Sequence, residues 1–313
     1  FTLVQVTVIC SAYYSLSAIN LLSLEISTLR SLTQNSTNLE ILHLNYVTLS
    51  SFVPYIFPNI TSLQLLSLHH CELYGEFQAV IFHLPKLRCL DLGNNEYLTG
   101  KFPDFCSSVQ ITSLNLQETS FYGSLPASIG NLKSLNWLSI PYCNFLGSIA
   151  SSCGNLSQLT FLDITHNKFK GHLSSFLVYH TKLHTLRVGL NEFTTDTISW
   201  IFKLSRIDNL GLEFVNIGSK VPLCFANLTQ LSALSLHHSN LSGQITSWIR
   251  NLTNLAYMNL AETNLQGAIP NSLFKLENLE VFSMAYDMLE GELEVDKFLM
   301  LKTIFFVRLS YNK

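Results

Sequence analysis

The sequence predicts an α/β-type repeat solenoid with a parallel sheet on its concave face and short or irregular convex segments. Three observations predict it. Aliphatic residues recur every 24 positions, a strand-like L-x-L alternation sits at the same phase of each period, and in the better repeats turn-forming Gly and Pro follow in an L-x-G-x-I/L-P segment.

The period is carried by Leu39, Leu63, Leu87, Ile111, Leu135, Leu159, Leu183, Ile207, Leu231, Leu255 and Leu279, with Ile304 opening a further repeat one residue late. Each opens the pattern L-x-x-L-x-L. Three residues on come Leu42, Leu66, Leu90, Leu114, Leu138, Leu162, Leu186, Leu210, Leu234, Met258 and Phe282, and two further on every repeat again carries an aliphatic residue or Met. The expected organisation is therefore a degenerate segment over residues 1–38, fitting loosely through Leu16, Ile19, Leu21, Leu24 and Ile26, followed over 39–313 by about twelve repeats of 24 residues, the last one truncated. Phe1–Ile9 alternates like a strand and lacks the basic start and small-residue cleavage site of a signal peptide. Neither Phe1–Cys10 nor Leu309–Lys313 has the character of a solenoid cap, so the chain is expected to be part of a longer protein.

One L-x-L strand cannot bury its apolar face alone. Stacking repeat on repeat pairs the strands at roughly 4.8 Å per step and turns the leucines into a continuous inner column. The ninth position leaves the strand and holds Cys71, Asn95, Thr119, Cys143, Asn167, Asn191, Ser239, Thr263, Asp287 and Asn312, most of which can bond the turn backbone from inside. Val47 and Val215 cannot, which predicts looser or rearranged turns there. The better repeats then run L-x-G-x-I/L-P, as in Phe121–Pro126 and Leu265–Pro270, where glycine permits a bend and proline blocks further ladder bonding. The repeat from Leu183 lacks both and ends in Thr194, Thr195 and Asp196, which predicts a local irregularity.

Composition excludes several classes. Apolar residues make up 48% and charged residues 12%, yet no apolar run approaches the roughly 18 residues of a membrane helix. A net charge of -3 gives no basic field for nucleic acid. Seven cysteines define neither a disulfide framework nor a zinc site. Six N-x-S/T sequons, at Asn35, Asn59, Asn155, Asn227, Asn240 and Asn251, point to a secretory route with glycans. Five of them share one phase of the repeat, expected on the convex or lateral side.

The repeat L-x-x-L-x-L-x-x-N/C-x-L-x-G-x-I-P resembles the plant-specific class of leucine-rich repeat over roughly residues 16 to 313. Longer strings, Cys71–Phe77, Ile81–Leu87 and Asn95–Gly100, with Leu289–Leu293, Lys297–Leu299 and Leu309–Lys313, resemble plant receptor-like proteins. The resemblance implies a leucine-rich-repeat horseshoe or superhelix at the cell exterior that senses an extracellular peptide, a pathogen protein or a wall fragment. It also implies a membrane anchor and receptor kinase partners engaged through regions absent from this chain.

Outward positions form columns one sheet spacing apart. The third-position column includes Trp137, Phe161 and Tyr257, the fifth Asp163 and Arg187, and the eighth Tyr142, His166, Phe214, His238, Glu262 and Tyr286. Trp137 beside Phe161, Tyr142 beside His166 and Asp163 beside Arg187 have the makings of a binding hot spot. The bland alternative is a self-satisfied aromatic ladder with an ion pair of little worth. A second cluster joins Tyr257, Glu262, Tyr286, Phe306 and Tyr311.

No catalytic residues are expected, because no nucleophile, base and orienter fall together: Asp91 faces Asn115, Glu118 faces Tyr142, and Asp163 faces Arg187. No cofactor is expected either, since no glycine-rich phosphate loop follows a strand. Metal binding is not expected from His69–His70 and His237–His238, which are roughly 34 Å apart along the stack and whose neighbouring side chains should face apart. An alternative function is a soluble polygalacturonase-inhibitor-like wall protein that blocks a microbial hydrolase. An ice-binding role needs flat repeated Thr or Asn columns, and the third and fifth positions vary too much for that.

Overall fold

The structure, a computed structural model, describes residues 5–7, 22–34, 38–194, 199–220, 223–292 and 294–313. Cys10, Leu16, Ile19, Leu21, Asn35, Thr195 and Asp196 lie outside them. The chain divides into two compact units, Phe1–Leu159 and Thr160–Lys313.

In the first unit the strands Ile41–His43, Leu65–Ser67, Cys89–Asp91, Ser113–Asn115 and Trp137–Ser139 run parallel, each residue paired with the one 24 positions on. Gln5–Thr7 pairs with Ile41–His43 at an offset of 36, and a nine-residue helix, Ile26–Gln34, fills the longer connection. In the second unit Phe161–Asp163, Thr185–Arg187, Asn209–Gly211, Ala233–Ser235, Tyr257–Asn259 and Val281–Ser283 continue the 24-residue register, and Phe306–Arg308 pairs 25 residues on, as the late Ile304 requires.

The ladder is tightened by a shared acceptor. The carbonyl of Glu40 receives the N–H groups of both Gln64 and Leu65, at 2.7 and 3.1 Å, and the carbonyl of Asp208 likewise receives Ser232 and Ala233, at 2.8 and 2.9 Å. Beneath the strands Leu66, Leu114 and Leu138 of the first unit, and Leu186 and Leu234 of the second, are wholly buried. Each such side chain contributes about 1.5–3 kcal/mol through burial, so every repeat adds its own increment. Aromatic rings extend the interior beyond the leucines. Phe102 stacks on Phe145 at 5.1 Å in the first unit, and Phe169 on Phe193 at 6.2 Å in the second.

The ninth position behaves as its chemistry suggests. The Asn95 amide donates to the carbonyls of Leu68, Leu92 and Gly93 at 2.9, 2.8 and 3.1 Å, while its oxygen accepts from the backbones of Cys71 and Leu73. Where valine stands instead, the turn is rearranged. The backbone N–H of Val47 donates to Leu44 and that of Val215 to Leu212, both at 3.1 Å, reaching the carbonyl three residues back that asparagine would otherwise serve.

Two features depart from the sequence reading. The L-x-G segment forms a second row of parallel strands, with Gly75–Glu76, Asn95–Gly100, Thr119–Gly123 and Asn144–Ser148 in the first unit. Gly123, at φ +92°, ends its strand, and Pro126 then leads into the 3-10 turn Ala127–Asn131. In the second unit this row runs Lys168–His172 with Glu192–Thr194, and separately Ser219–Lys220, Leu241–Gly243, Asn264–Gly267 and Met288–Leu289. Thr194 bridges Asn216 alone. The interruption falls at the repeat from Leu183, the one that lacks both the glycine and the proline.

The second departure concerns the eighth position, which lies beyond the strand in a left-handed turn. Tyr46, His70, Asn94, Glu118 and Tyr142 in the first unit, and His166, Leu190, Phe214, His238, Glu262, Tyr286 and Tyr311 in the second, all have φ between 51° and 61°. Such backbone costs about 1–2 kcal/mol for a residue with a side chain. A recurring bond offsets it: the N–H of His70 donates to Gly93 at 2.9 Å, and that of Glu262 to Ala285 at 2.8 Å.

Candidate ligand-recognition face

Strand alternation turns the third and fifth positions to solvent, and the left-handed eighth position aims its side chain the same way. In the first unit this places Trp137 and Tyr142 on the surface, with 41% and 54% of their area exposed. Phe161, Asp163, His166 and Arg187 belong to the second unit. Phe161 and His166 are half-buried there. Asp163 registers with Arg187, their nearest charged atoms 3.9 Å apart. The pair is less available than the sequence suggests, because Asp163 is buried and its Oδ1 accepts from the N–H and hydroxyl of Thr165, at 3.1 and 2.7 Å. Arg187 Nε also donates to Asn209 Oδ1 at 3.1 Å.

Further along the second unit the eighth-position column carries two ring stacks. Phe214 lies on His238 with centroids 4.3 Å apart and planes 20° apart, and Tyr286 lies on Tyr311 at 4.3 Å and 10°. Between them stands Glu262, whose Oε2 is 2.6 Å from His238 Nε2. The guanidinium of Arg308 sits 5.6 Å from the Tyr286 ring centre, and Tyr257 is exposed nearby in sequence register. The expectation that His237 and His238 face apart is overturned. Their rings are 5.8 Å apart, because the left-handed backbone at His238 swings its side chain back toward the strand's solvent face. Burial, and then the charge of His238, push the His237 imidazole below its usual value.

The seventh position, not considered among the outward columns, joins the fifth in building two polar clusters. In the first unit Asp91 accepts from Asn115 Nδ2 at 2.9 Å and from the Gly93 N–H at 3.0 Å, lies 3.4 Å from His69 Nδ1, and meets Ser67, which donates to Asn45 at 2.6 Å. In the second unit Glu213 folds over Gly189 and Gly211, which have no side chains to obstruct it. Burial raises the Glu213 carboxyl, against the lowering effects of hydrogen bonds and of Arg187. Glycine at an outward strand position is the signal that could have found both clusters.

Asn59, Asn155, Asn227 and Asn251 are exposed, and each ends a 3-10 turn away from the strands. Asn240 is exposed in a side-chain ladder, donating to Asn216 and accepting from Asn264. Among the described residues no helix is long and apolar enough to cross a membrane, and no three His, Cys, Asp or Glu side chains are placed to hold a metal ion.

Parallel strands every 24 residues, an inner leucine column and a second strand row on the L-x-G segment define a leucine-rich-repeat solenoid of the plant type. The chain is similar to plant receptor-like proteins. A 109-residue stretch, 35% of the chain, is 36% identical to Receptor-like protein 6 of Arabidopsis thaliana and covers 11% of it. A 107-residue stretch, 33% of the chain, is 35% identical to Receptor-like protein Cf-9 of Solanum pimpinellifolium and covers 12% of it. These matches span only about an eighth or less of the curated relatives' length. No family model matches.

Among solved structures, a TDR receptor is 26% identical with a TM-score of 0.83, over 94% of this chain and 51% of that one. The Arabidopsis receptor kinase HAESA, in complex with the peptide hormone IDA and the co-receptor SERK1, is 25% identical with a TM-score of 0.75, over 89% and 46%. A plant ice-binding protein, 22% identical with a TM-score of 0.59 over 71% of each chain, shares the fold alone.

Proposed function

We propose that the chain is a ligand-recognition part of a plant cell-surface receptor-like protein, exposed to the extracellular space. Its ligand is an extracellular peptide, a pathogen protein or a wall fragment read in immune or developmental signalling, and receptor kinase partners engage regions outside this chain. The observation that carries the reading is the outward column of stacked rings around Glu262, on a scaffold similar to receptor ectodomains solved with peptide hormones. Exposed aromatics held rigid by stacking are inexpensive to immobilise and typical of recognition hot spots. Catalysis has no role in this reading. Glycans at Asn59, Asn155, Asn227, Asn240 and Asn251 would leave the strand face open.

The test is capture of extracellular-fluid components on the immobilised chain. One variant combines Phe214→Ala with Tyr286→Ala, and another combines Trp137→Ala with Phe161→Ala. The column variant should weaken capture at least tenfold, about 1.4 kcal/mol, with unchanged circular dichroism. Unaltered affinity in both variants would overturn the assignment. Inhibition of a microbial polygalacturonase by the purified chain would favour the wall-inhibitor alternative.

A further inference from the structure

Five successive eighth-position side chains of the second unit, Phe214, His238, Glu262, Tyr286 and Tyr311, leave the backbone in the same left-handed geometry. They therefore form a row with a step of roughly 4.8 Å. Four of the five are rings. They pair off on either side of the one carboxylate, Phe214 with His238 and Tyr286 with Tyr311. The small side chains of Ala261 and Ala285 at the adjoining seventh position raise no wall beside it.

A carboxylate between aromatic rings is the chemistry that recognises a cation. The carboxylate supplies charge-assisted hydrogen bonds and the ring faces supply quadrupole attraction. Part of that chemistry is already in use, since Tyr286 takes the guanidinium of Arg308 near its face. The Glu262 side chain is 40% exposed, and His238 takes one of the roughly four hydrogen bonds its two oxygens can accept.

We propose that Glu262 receives a basic side chain, arginine or lysine, of an extended peptide ligand, and that His238 competes for the same carboxylate when protonated. This deepens the ligand-recognition reading and rests on it. With His238 neutral, the negative charge of Glu262 is open to an incoming cation. With His238 protonated, the pair at 2.6 Å is internally neutral, so the ligand must displace an imidazolium. The other charged or titratable groups about the pair are His237, whose ring is 5.8 Å from His238, Asp287, which feels the Glu262 charge, and Arg308 with Tyr286. Protonation of Asp287 weakens the local negative field in the same direction as that of His238, so a His238 variant is needed to separate them.

The probe is N-acetyl-Gly-Arg-Gly amide, with the Gln tripeptide as the uncharged control. Ring resonances of Tyr286 and Tyr311 are followed by NMR in the full chain. The arginine probe should give a saturable shift at pH 7.5, at least fivefold weaker at pH 5, and the glutamine probe none. Glu262→Gln, which keeps size and turn geometry, should lose the response at least fivefold, and His238→Asn should flatten its pH dependence. Equal titration of wild type and Glu262→Gln, or of the two probes, overturns the cation subsite. An undiminished pH dependence in His238→Asn overturns the competition. Capture of the same extracellular peptides by wild type and Glu262→Gln would also count against the subsite while sustaining recognition, whereas capture by neither counts against recognition itself.

Discussion

Thr263 gives both its backbone N–H and its hydroxyl to one oxygen of Asp287, at 2.9 and 2.6 Å, and the other Asp287 oxygen is buried with no hydrogen-bond partner among the described residues. In the next repeat the same position is Asn312, whose Nδ2 donates to the carbonyls of Met284 and Leu309 at 2.7 and 2.9 Å. Asp287 thus presents an oxygen where the turn wants a donor. Only the protonated acid supplies one, and burial accordingly pushes the Asp287 carboxyl from 3.8 up to about 6.

The folded chain therefore holds this proton over a range in which the unfolded chain has released it. Its contribution to stability is fully present below pH 3.8 and is lost as pH rises through about 6. Asp287→Asn should restore the donor permanently, stabilise the second unit at pH 7.5 by about 1–3 kcal/mol, and remove this part of the pH dependence. Denaturant melts at pH 5 and 7.5 measure it. A variant no more stable than wild type at pH 7.5 contradicts the account.

Asn95 is the opposite case, a satisfied ninth position. It is 1% exposed and links the carbonyls of Leu68, Leu92 and Gly93 to the N–H groups of Cys71 and Leu73. Asn95→Ala orphans several buried groups at once and should cost about 3 kcal/mol or more. In a solenoid that loss should be local, so hydrogen exchange should accelerate most in the repeats from Leu63 and Leu87. Uniform acceleration across the first unit would contradict it.

The strands were legible in the sequence because one leucine pattern states both their phase and their buried face, and stacking leaves a single register. The ninth position was legible for a related reason: a polar side chain recurring inside a turn has few other uses, and Val47 and Val215 stand out by having no group that can bond the turn backbone. The second strand row was not legible. Short L-x-G segments such as Thr119–Gly123 look like turns, and they become strands only because the repeat before them offers a matching edge. Nor did anything mark the eighth position as left-handed, since tyrosine, histidine, phenylalanine and glutamate occupy it where glycine would have announced the turn. The Asp91–Asn115 contact was legible from the fifth-position column, whereas the approach of His69 to Asp91 and the fold of Glu213 over two glycines arise between the fifth and seventh columns, which reading each column alone does not join.

That Glu213 arrangement makes a sharp steric prediction. A Cβ at Gly189 would stand 2.4 Å from Glu213 Oε2 and 2.7 Å from the Glu213 carbonyl oxygen. The side chain could swing away but the backbone could not, so Gly189→Ala should destabilise the second unit by about 1–3 kcal/mol. Adding Glu213→Ala should recover only part of it. Full recovery in the double variant would show that the carboxylate alone fills the recess.

Cysteine reactivity offers a readout of the stack itself. Burial pushes the Cys153 thiol up to about 12, and burial likewise raises Cys71 to about 12, so neither forms appreciable thiolate while its repeat is closed. Cys106 is exposed, and the Ser108 hydroxyl 3.0 Å from its sulfur favours the thiolate and holds it below the usual value. A brief iodoacetamide pulse at pH 7.5 should label Cys106 on the order of a hundred times faster than Cys71 or Cys153, read by mass spectrometry of peptides. Labelling of Cys71 should then rise in Asn95→Ala, because the same substitution that orphans the Cys71 N–H loosens the turn around its sulfur. Equal labelling of the three thiols in the folded chain would mean that the inner column is open to solvent, and the repeat-by-repeat account of stability would fail with it.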